Sequence, residues 1–137
     1  MGASAETLIS ERCEALLIRL MVADDHGIVR EGLDRLFATV SDVVVAMAAD
    51  GREAVMLAGQ TGPDVILMDV GMPEVDGVDA TRQIVAAHPA CRIIMVTMEA
   101  DGARIQDALR AGAVGYLLKD TRADDVVRAV HDVHPGR

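Results

Sequence analysis

Two patterns alternate along this chain. Short, largely apolar runs without helical gaps occur at Ile18–Ala23, Val43–Met47, Val65–Met68, Arg92–Val96 and Gly115–Leu118. Runs of this length, rich in Val and Ile, predict strands buried on both faces, as in a parallel sheet. Between them, apolar residues recur at helical spacing. Val29, Leu33, Leu36 and Val40 predict a helix over about Gly27 to Thr39. Ala54, Leu57 and Ala58 predict a second, capped by Asp50 and stopped before Gly62-Pro63. Val78, Thr81, Ile84 and Val85 mark a third, ended near His88 by Pro89; Ile105, Ala108 and Leu109 mark a fourth, with Gly112 near its C-terminal end. Thr121-Arg122-Ala123-Asp124 has the form of a capping box, opening a last helix with Val126, Val127, Val130 and Val133.

Strand and helix thus alternate five times, with no internal repeat and no low-complexity linker. The prediction is an α/β fold: one five-stranded parallel sheet with helices on both faces, joined by right-handed crossovers. Residues 1–16 stand apart as an N-terminal extension. Leu8, Ile9, Cys13, Leu16 and Leu17 have rough helical spacing there, which fits either a short extra helix or a disordered tail. The folded unit is expected over residues 17–134, with 135–137 as the start of a linker or tail.

Composition narrows the function. With 137 residues the chain is one domain with a single core. Phe37 and Tyr116 are its only aromatics, so Ala, Val, Leu, Ile and Met must fill that core. A net charge of -9 argues against binding nucleic acid or an anionic membrane directly. Cys13 and Cys91 lie far apart without metal-type spacing and read as reduced thiols. No apolar run approaches membrane-spanning length, and the acidic start lacks the basic region of a signal peptide. A soluble cytoplasmic protein is expected.

Chemistry gathers at one edge of the predicted sheet. Open parallel sheets bind ligands at the carboxyl ends of their strands. The first strand delivers Asp24 and Asp25 there, the third Asp69, the fourth Thr97 and the fifth Lys119. Asp69 closes the 65–68 run and leads into a turn region, Gly71-Met72-Pro73 and Asp76-Gly77. Singly, the acids could be caps, Thr97 a strand residue and Lys119 a solvated end. Together they form a site. Two carboxylates about 5 Å apart repel by roughly 3 kcal/mol at an effective dielectric near 20. A hard divalent cation relieves this, and oxygen donors suit Mg²⁺. Asp69 is then a candidate phosphoryl acceptor, with Thr97 and Lys119 able to hold its oxygens.

This set, Asp24-Asp25, Asp69, Met72-Pro73, Asp76-Gly77, Thr97 and Lys119, resembles the receiver domain of two-component response regulators. The resemblance runs from about Ile18 to Val133. Ala23-Asp24-Asp25-His26 with Ile28-Val29-Arg30-Glu31-Gly32-Leu33 is similar to the NarL/FixJ-like branch, whose members usually carry a LuxR-type helix-turn-helix output domain. Arg110-Ala111-Gly112-Ala113-Val114-Gly115-Tyr116-Leu117-Leu118-Lys119-Asp120 points the same way. The resemblance implies the flavodoxin-like (βα)5 receiver fold, with Asp69 as the phosphorylation site. It implies that Asp24, Asp25, Asp69 and the backbone carbonyl of Gly71 hold Mg²⁺, and that Thr97 and Lys119 contact the phosphoryl group. Tyr116 matches the aromatic that turns inward when Thr97 moves to the phosphate. A sensor histidine kinase would be the donor partner, with acetyl phosphate as a possible small donor. Phosphorylation would favour a homodimer, and DNA would be reached only through an output domain absent from this chain. No separate substrate, and hence no enzyme in the ordinary sense, is expected.

Some positions depart from the pattern. Asp120 follows Lys119 where many such domains have proline after a cis bond, which for a non-proline residue costs about 2.5–4 kcal/mol. Met98 follows Thr97 where many have a smaller residue, and would shield the phosphoryl group from water. Gly71 and Glu99 occupy positions that tune dephosphorylation. His26 reads as a loop residue beside two acids. A haloacid-dehalogenase-type phosphatase shares the aspartate and Mg²⁺, but it needs a second Asp where this chain has Gly71, and a cap domain. A pseudo-receiver would not need the full set of acids, threonine and lysine. A flavodoxin-type carrier would need a phosphate loop after the first strand.

Overall fold

The computed structural model describes residues 17–98 and 102–134. The expectations for residues 1–16, Glu99 and 135–137 lie outside these. Five strands and five helices alternate: β1 (Ile18–Ala23), α1 (Gly27–Ala38), β2 (Val43–Ala48), α2 (Gly51–Thr61), β3 (Val65–Asp69), α3 (Gly77–Ala87), β4 (Arg92–Thr97), α4 (Gly102–Ala111), β5 (Gly115–Leu118) and α5 (Ala123–Val133). All strand pairs are parallel, in the order β2-β1-β3-β4-β5.

The central strand explains the apolar runs. Every residue of β3 is buried, because helices cover both faces of the sheet. On one face Met21, Ile66, Met68, Ile93 and Met95 pack with Ala54, Ala58, Ala80, Ile84 and Ala108 from α2, α3 and α4. On the other, Leu20, Val22, Val65, Leu67 and Ile94 pack with Phe37 of α1 and Val130 of α5. Full burial of each large side chain contributes roughly 1.5–3 kcal/mol, so β3, with both faces covered, anchors the fold. Cys91 belongs to the first cluster; burial and the nearby charge of Asp64 push its thiol up to about 12. At neutral pH it is a protonated core group.

Helix ends follow their local chemistry. The Asp50 side chain accepts from Glu53 N–H at 2.8 Å and that of Asp76 from Asp79 N–H at 2.9 Å, opening α2 and α3. The capping box expected at Thr121 is not formed. Thr121 N–H donates to the Leu118 carbonyl in a turn, so the cap position falls one residue late, on Arg122, whose side chain has no acceptor for a cap. Leu109, counted in the α4 pattern, is 45% exposed; the inward face is carried by Ala108 and Ala111. Lys119–Asp120 is a trans bond, since the described residues contain no cis peptide. α5 is tied down by His131, whose two ring nitrogens meet the Val127 carbonyl at 2.8 Å and the Asp42 carboxylate at 2.9 Å.

Candidate functional site

Sheet register decides which chemical groups meet. Ala23 of β1 pairs with Met68 of β3, so the next residues along, Asp24 and Asp69, leave the sheet side by side. Adjacent strands lie about 4.8 Å apart, close for two carboxylates. This is also where strand order reverses, β1 having β2 on one side and β3 on the other. Thr97 ends β4 opposite Leu118, and Lys119 N–H donates to the Thr97 carbonyl at 2.8 Å. One cleft is lined by His26, Asp69, Val70, Gly71, Thr97, Met98, Arg104 and Lys119.

Lys119 joins the acids. Its Nζ lies 2.9 Å from Asp24 Oδ2 and 3.4 Å from Asp69 Oδ1. Asp24 and Asp69 are only 2% and 6% exposed, so the ammonium offsets charge that water cannot reach. Burial raises the Asp69 carboxyl above its ordinary value, and the charge of Asp24 raises it further; Lys119 pulls the other way. For Lys119, burial alone would lower the ammonium, but the hydrogen bond to Asp24 and the charges of Asp69 and Asp24 raise it on balance. Both groups are shifted by the same crowding, which is common at functional sites.

His26 participates more than its sequence reading implied. Its backbone N–H donates to Asp24 Oδ1 at 2.8 Å, and its Nδ1 lies 3.0 Å from Asp24 Oδ1 and 3.2 Å from Asp25 Oδ1. Arg30, one turn along α1, donates to the Asp24 carbonyl at 2.7 Å. Asp24 is therefore held at both its side chain and its backbone. Asp24, Asp25, His26 and Asp69 each offer one ligand atom, all within 4.8 Å of one another. Three hard carboxylates beside a single ammonium suit Mg²⁺ in charge and donor type. The residues fit.

Two expected residues lie differently. Gly71 is exposed and lines the cleft. Tyr116 does not line it; it pairs across from Met95 on β5 and is 46% exposed. Sequence reasoning missed Arg104, whose Nη2 donates to the Val70 carbonyl at 3.3 Å. It also took Gly77 as a turn and motif residue without its contact to the site, whereas a Cβ there would sit 2.0 Å from the Asp69 carbonyl oxygen. Helix α3 thus starts against the backbone of Asp69.

The family model for the response regulator receiver domain matches residues 20–131. The transcriptional regulatory protein LnrK of Bacillus subtilis is 43% identical over 121 residues, covering 88% of this chain and 55% of that protein. The transcriptional regulatory protein DegU of Brevibacillus brevis is 38% identical over 129 residues, covering 93% of this chain and 55% of that protein. The chain spans about half the length of these curated relatives. A solved LuxR-family two-component response regulator from Aurantimonas sp. SI85-9A1 is 38% identical, with a TM-score of 0.81, over 88% of this chain and 87% of that one. Among the described residues, no helix is long and apolar enough to cross a membrane.

Proposed function

The chain belongs to the response regulator receiver domain family of two-component systems, and from that premise we propose that it is a phosphorylation-controlled switch with Asp69 as acceptor. A sensor histidine kinase is the donor partner. Residues 17–134 act as the receiver unit, 1–16 as an extension and 135–137 as the start of a linker or tail. By analogy with its transcriptional relatives, its signal reaches DNA through an output domain outside these residues, in the cytoplasm.

The observation that carries this reading is Lys119 Nζ standing between Asp24 and Asp69, at 2.9 and 3.4 Å, in a cleft shared with Thr97. In the transfer, one Asp69 carboxylate oxygen forms a P–O bond as the donor's P–N bond breaks. The electron pair leaves with the donor imidazole nitrogen. Lys119 holds the carboxylate in place and has a further N–H for an incoming oxygen. The Thr97 hydroxyl donates to a second phosphoryl oxygen, and Met98, 74% exposed at the cleft rim, hinders water. Asp24, Asp25, Asp69 and the Gly71 carbonyl would hold Mg²⁺, which when bound neutralises charge on the transferring oxygens. The phosphoryl group stays on the protein, so the domain switches rather than turns over a substrate.

Incubation with acetyl phosphate and Mg²⁺ is expected to add one phosphoryl mass, and chelation of Mg²⁺ with EDTA to return incorporation to background. An unmodified mass under the first condition would sink the reading. For the output, Thr97 drawn toward Asp69 would let Tyr116 turn inward from its outward position on β5. Beryllofluoride with Mg²⁺ is then expected to favour a weak homodimer, read as a rise in sedimentation coefficient with protein concentration. A coefficient unchanged by beryllofluoride at all concentrations would remove dimerisation from the proposal.

A further inference from the structure

Arg104 lies in the first turn of α4, yet its guanidinium reaches the residue that follows Asp69, Nη2 donating to the Val70 carbonyl at 3.3 Å. It lines the same cleft as Asp69, Thr97 and Lys119. This contact is built to be exchanged. A length of 3.3 Å is beyond the usual range of about 2.7–3.2 Å for such a bond. The Val70 carbonyl also accepts from Gly77 N–H at 2.8 Å, so it keeps a partner when Arg104 leaves.

A phosphoryl group on Asp69 would place strong acceptor oxygens and added negative charge one residue from that carbonyl. Lys119 is already drawn to Asp24 at 2.9 Å. The fork of the guanidinium matches two phosphoryl oxygens at once, which an ammonium cannot do.

The seating of α4 gives the exchange a consequence. Ala108 and Ala111 are buried, and Gly112, at φ 118°, is pressed so close to Val85 of α3 that a Cβ would lie 2.8 Å from its Cγ1. Gly102, Ala103 and Arg104, in contrast, are exposed. The buried side chains of the helix lie toward its C-terminal end, while its first turn is solvent-facing, so a pull on Arg104 would tilt the helix about Gly112.

We propose that Arg104 is a phosphoryl-binding residue that exchanges the Val70 carbonyl for phosphoryl oxygens on Asp69 and so moves the first turn of α4. This rests on Asp69 being the phosphoacceptor. The test compares the parent with Arg104→Gln and Arg104→Lys, using acetyl phosphate labelling and amide chemical shifts with Mg²⁺ and beryllofluoride. All three proteins should be labelled. In the parent, shifts should extend from the loops around Asp69 into α4, and the Arg104 Nε–H resonance should move. Arg104→Gln should bind beryllofluoride roughly tenfold more weakly, as expected for one charged hydrogen-bonding partner lost, and keep the loop shifts while losing those in α4. Arg104→Lys should regain part of the affinity. A Gln variant with parental affinity and parental α4 shifts would overturn the role of Arg104 and leave Asp69 standing. A parent that takes no label would overturn both.

Discussion

Asp69→Asn is expected to accept no phosphoryl group and to fold more stably than the parent at neutral pH. The amide is nearly the same shape as the carboxyl, but it lacks the anionic oxygen that attacks phosphorus. Labelling by acetyl phosphate should fall to background. Persistent Mg²⁺-dependent label would move the acceptor elsewhere, Asp24 and Asp25 being the nearest acids. The gain in stability comes from the raised carboxyl of Asp69, caused first by burial and then by the charge of Asp24. A folded-state value above the unfolded one means that the native form holds its proton longer. Stability is then lost as pH rises from the ordinary carboxylate value through the folded one, and the loss is complete above both. An unscreened pair of carboxylates about 5 Å apart would cost roughly 3 kcal/mol, of which Lys119 offsets part. We expect the variant to gain about 1–2 kcal/mol at pH 7, a rise of about 3–8 °C in Tm. That advantage should shrink as pH falls to the ordinary carboxylate value of about 3.9 and vanish below it, where Asp69 is protonated in the folded and unfolded chain alike. Melting curves of the two proteins at neutral and acidic pH, without Mg²⁺, would show it. A variant less stable than the parent at pH 7 would mean that Lys119 outweighs the burial cost.

Gly77→Ala is expected to be the more damaging change by far for the fold. The added Cβ would lie 2.0 Å from the Asp69 carbonyl oxygen, 2.9 Å from its carbonyl carbon and 2.9 Å from Val70 Cα. All three are backbone atoms and no rotamer can relieve them. Overpacking typically costs 1–3 kcal/mol and occasionally more; against the backbone of Asp69 and Val70 we expect about 3 kcal/mol or greater. The strand end must move, and Asp69 with it. A displacement of about 1 Å at a reacting group can cost on the order of a hundredfold in rate, so the labelling rate should fall by a similar factor. Gly59→Ala is the matching control: apart from the backbone of its own helix α2, nothing lies within 4 Å of the added Cβ, and it should gain about 0.5–1 kcal/mol. Urea unfolding of the three proteins would settle the ranking. Equal midpoints for the parent and Gly77→Ala would show that the loop yields freely.

The fold was legible because its signals are periodic and local. Val65–Met68 is apolar without gaps because helices cover both faces of β3, and Ala54 and Ala58 recur at four because one side of α2 is buried. The gathering of Asp24, Asp69, Thr97 and Lys119 in space was legible too, since parallel strands put all their carboxyl ends on one edge. What stayed hidden depends on where a loop or a long side chain goes. Nothing in sequence spacing shows that Arg104 bends back to Val70, 34 positions away. Gly77 could be read as a turn residue, but not as the point where α3 touches Asp69. At Thr121 the cap pattern was present and the chain turned once more before the helix began. A pattern of four residues cannot report that extra turn.

Tyr116 carries a practical consequence. It is the one tyrosine in a chain without tryptophan, and it stands on β5 with 46% of its surface open to solvent. Ultraviolet emission from this protein is therefore close to a one-residue spectrum, reporting from a known address without a dye or an added label. A soluble quencher such as iodide reaches that ring from outside, and any event that buries it dims the effect of the quencher on the emission of the whole molecule.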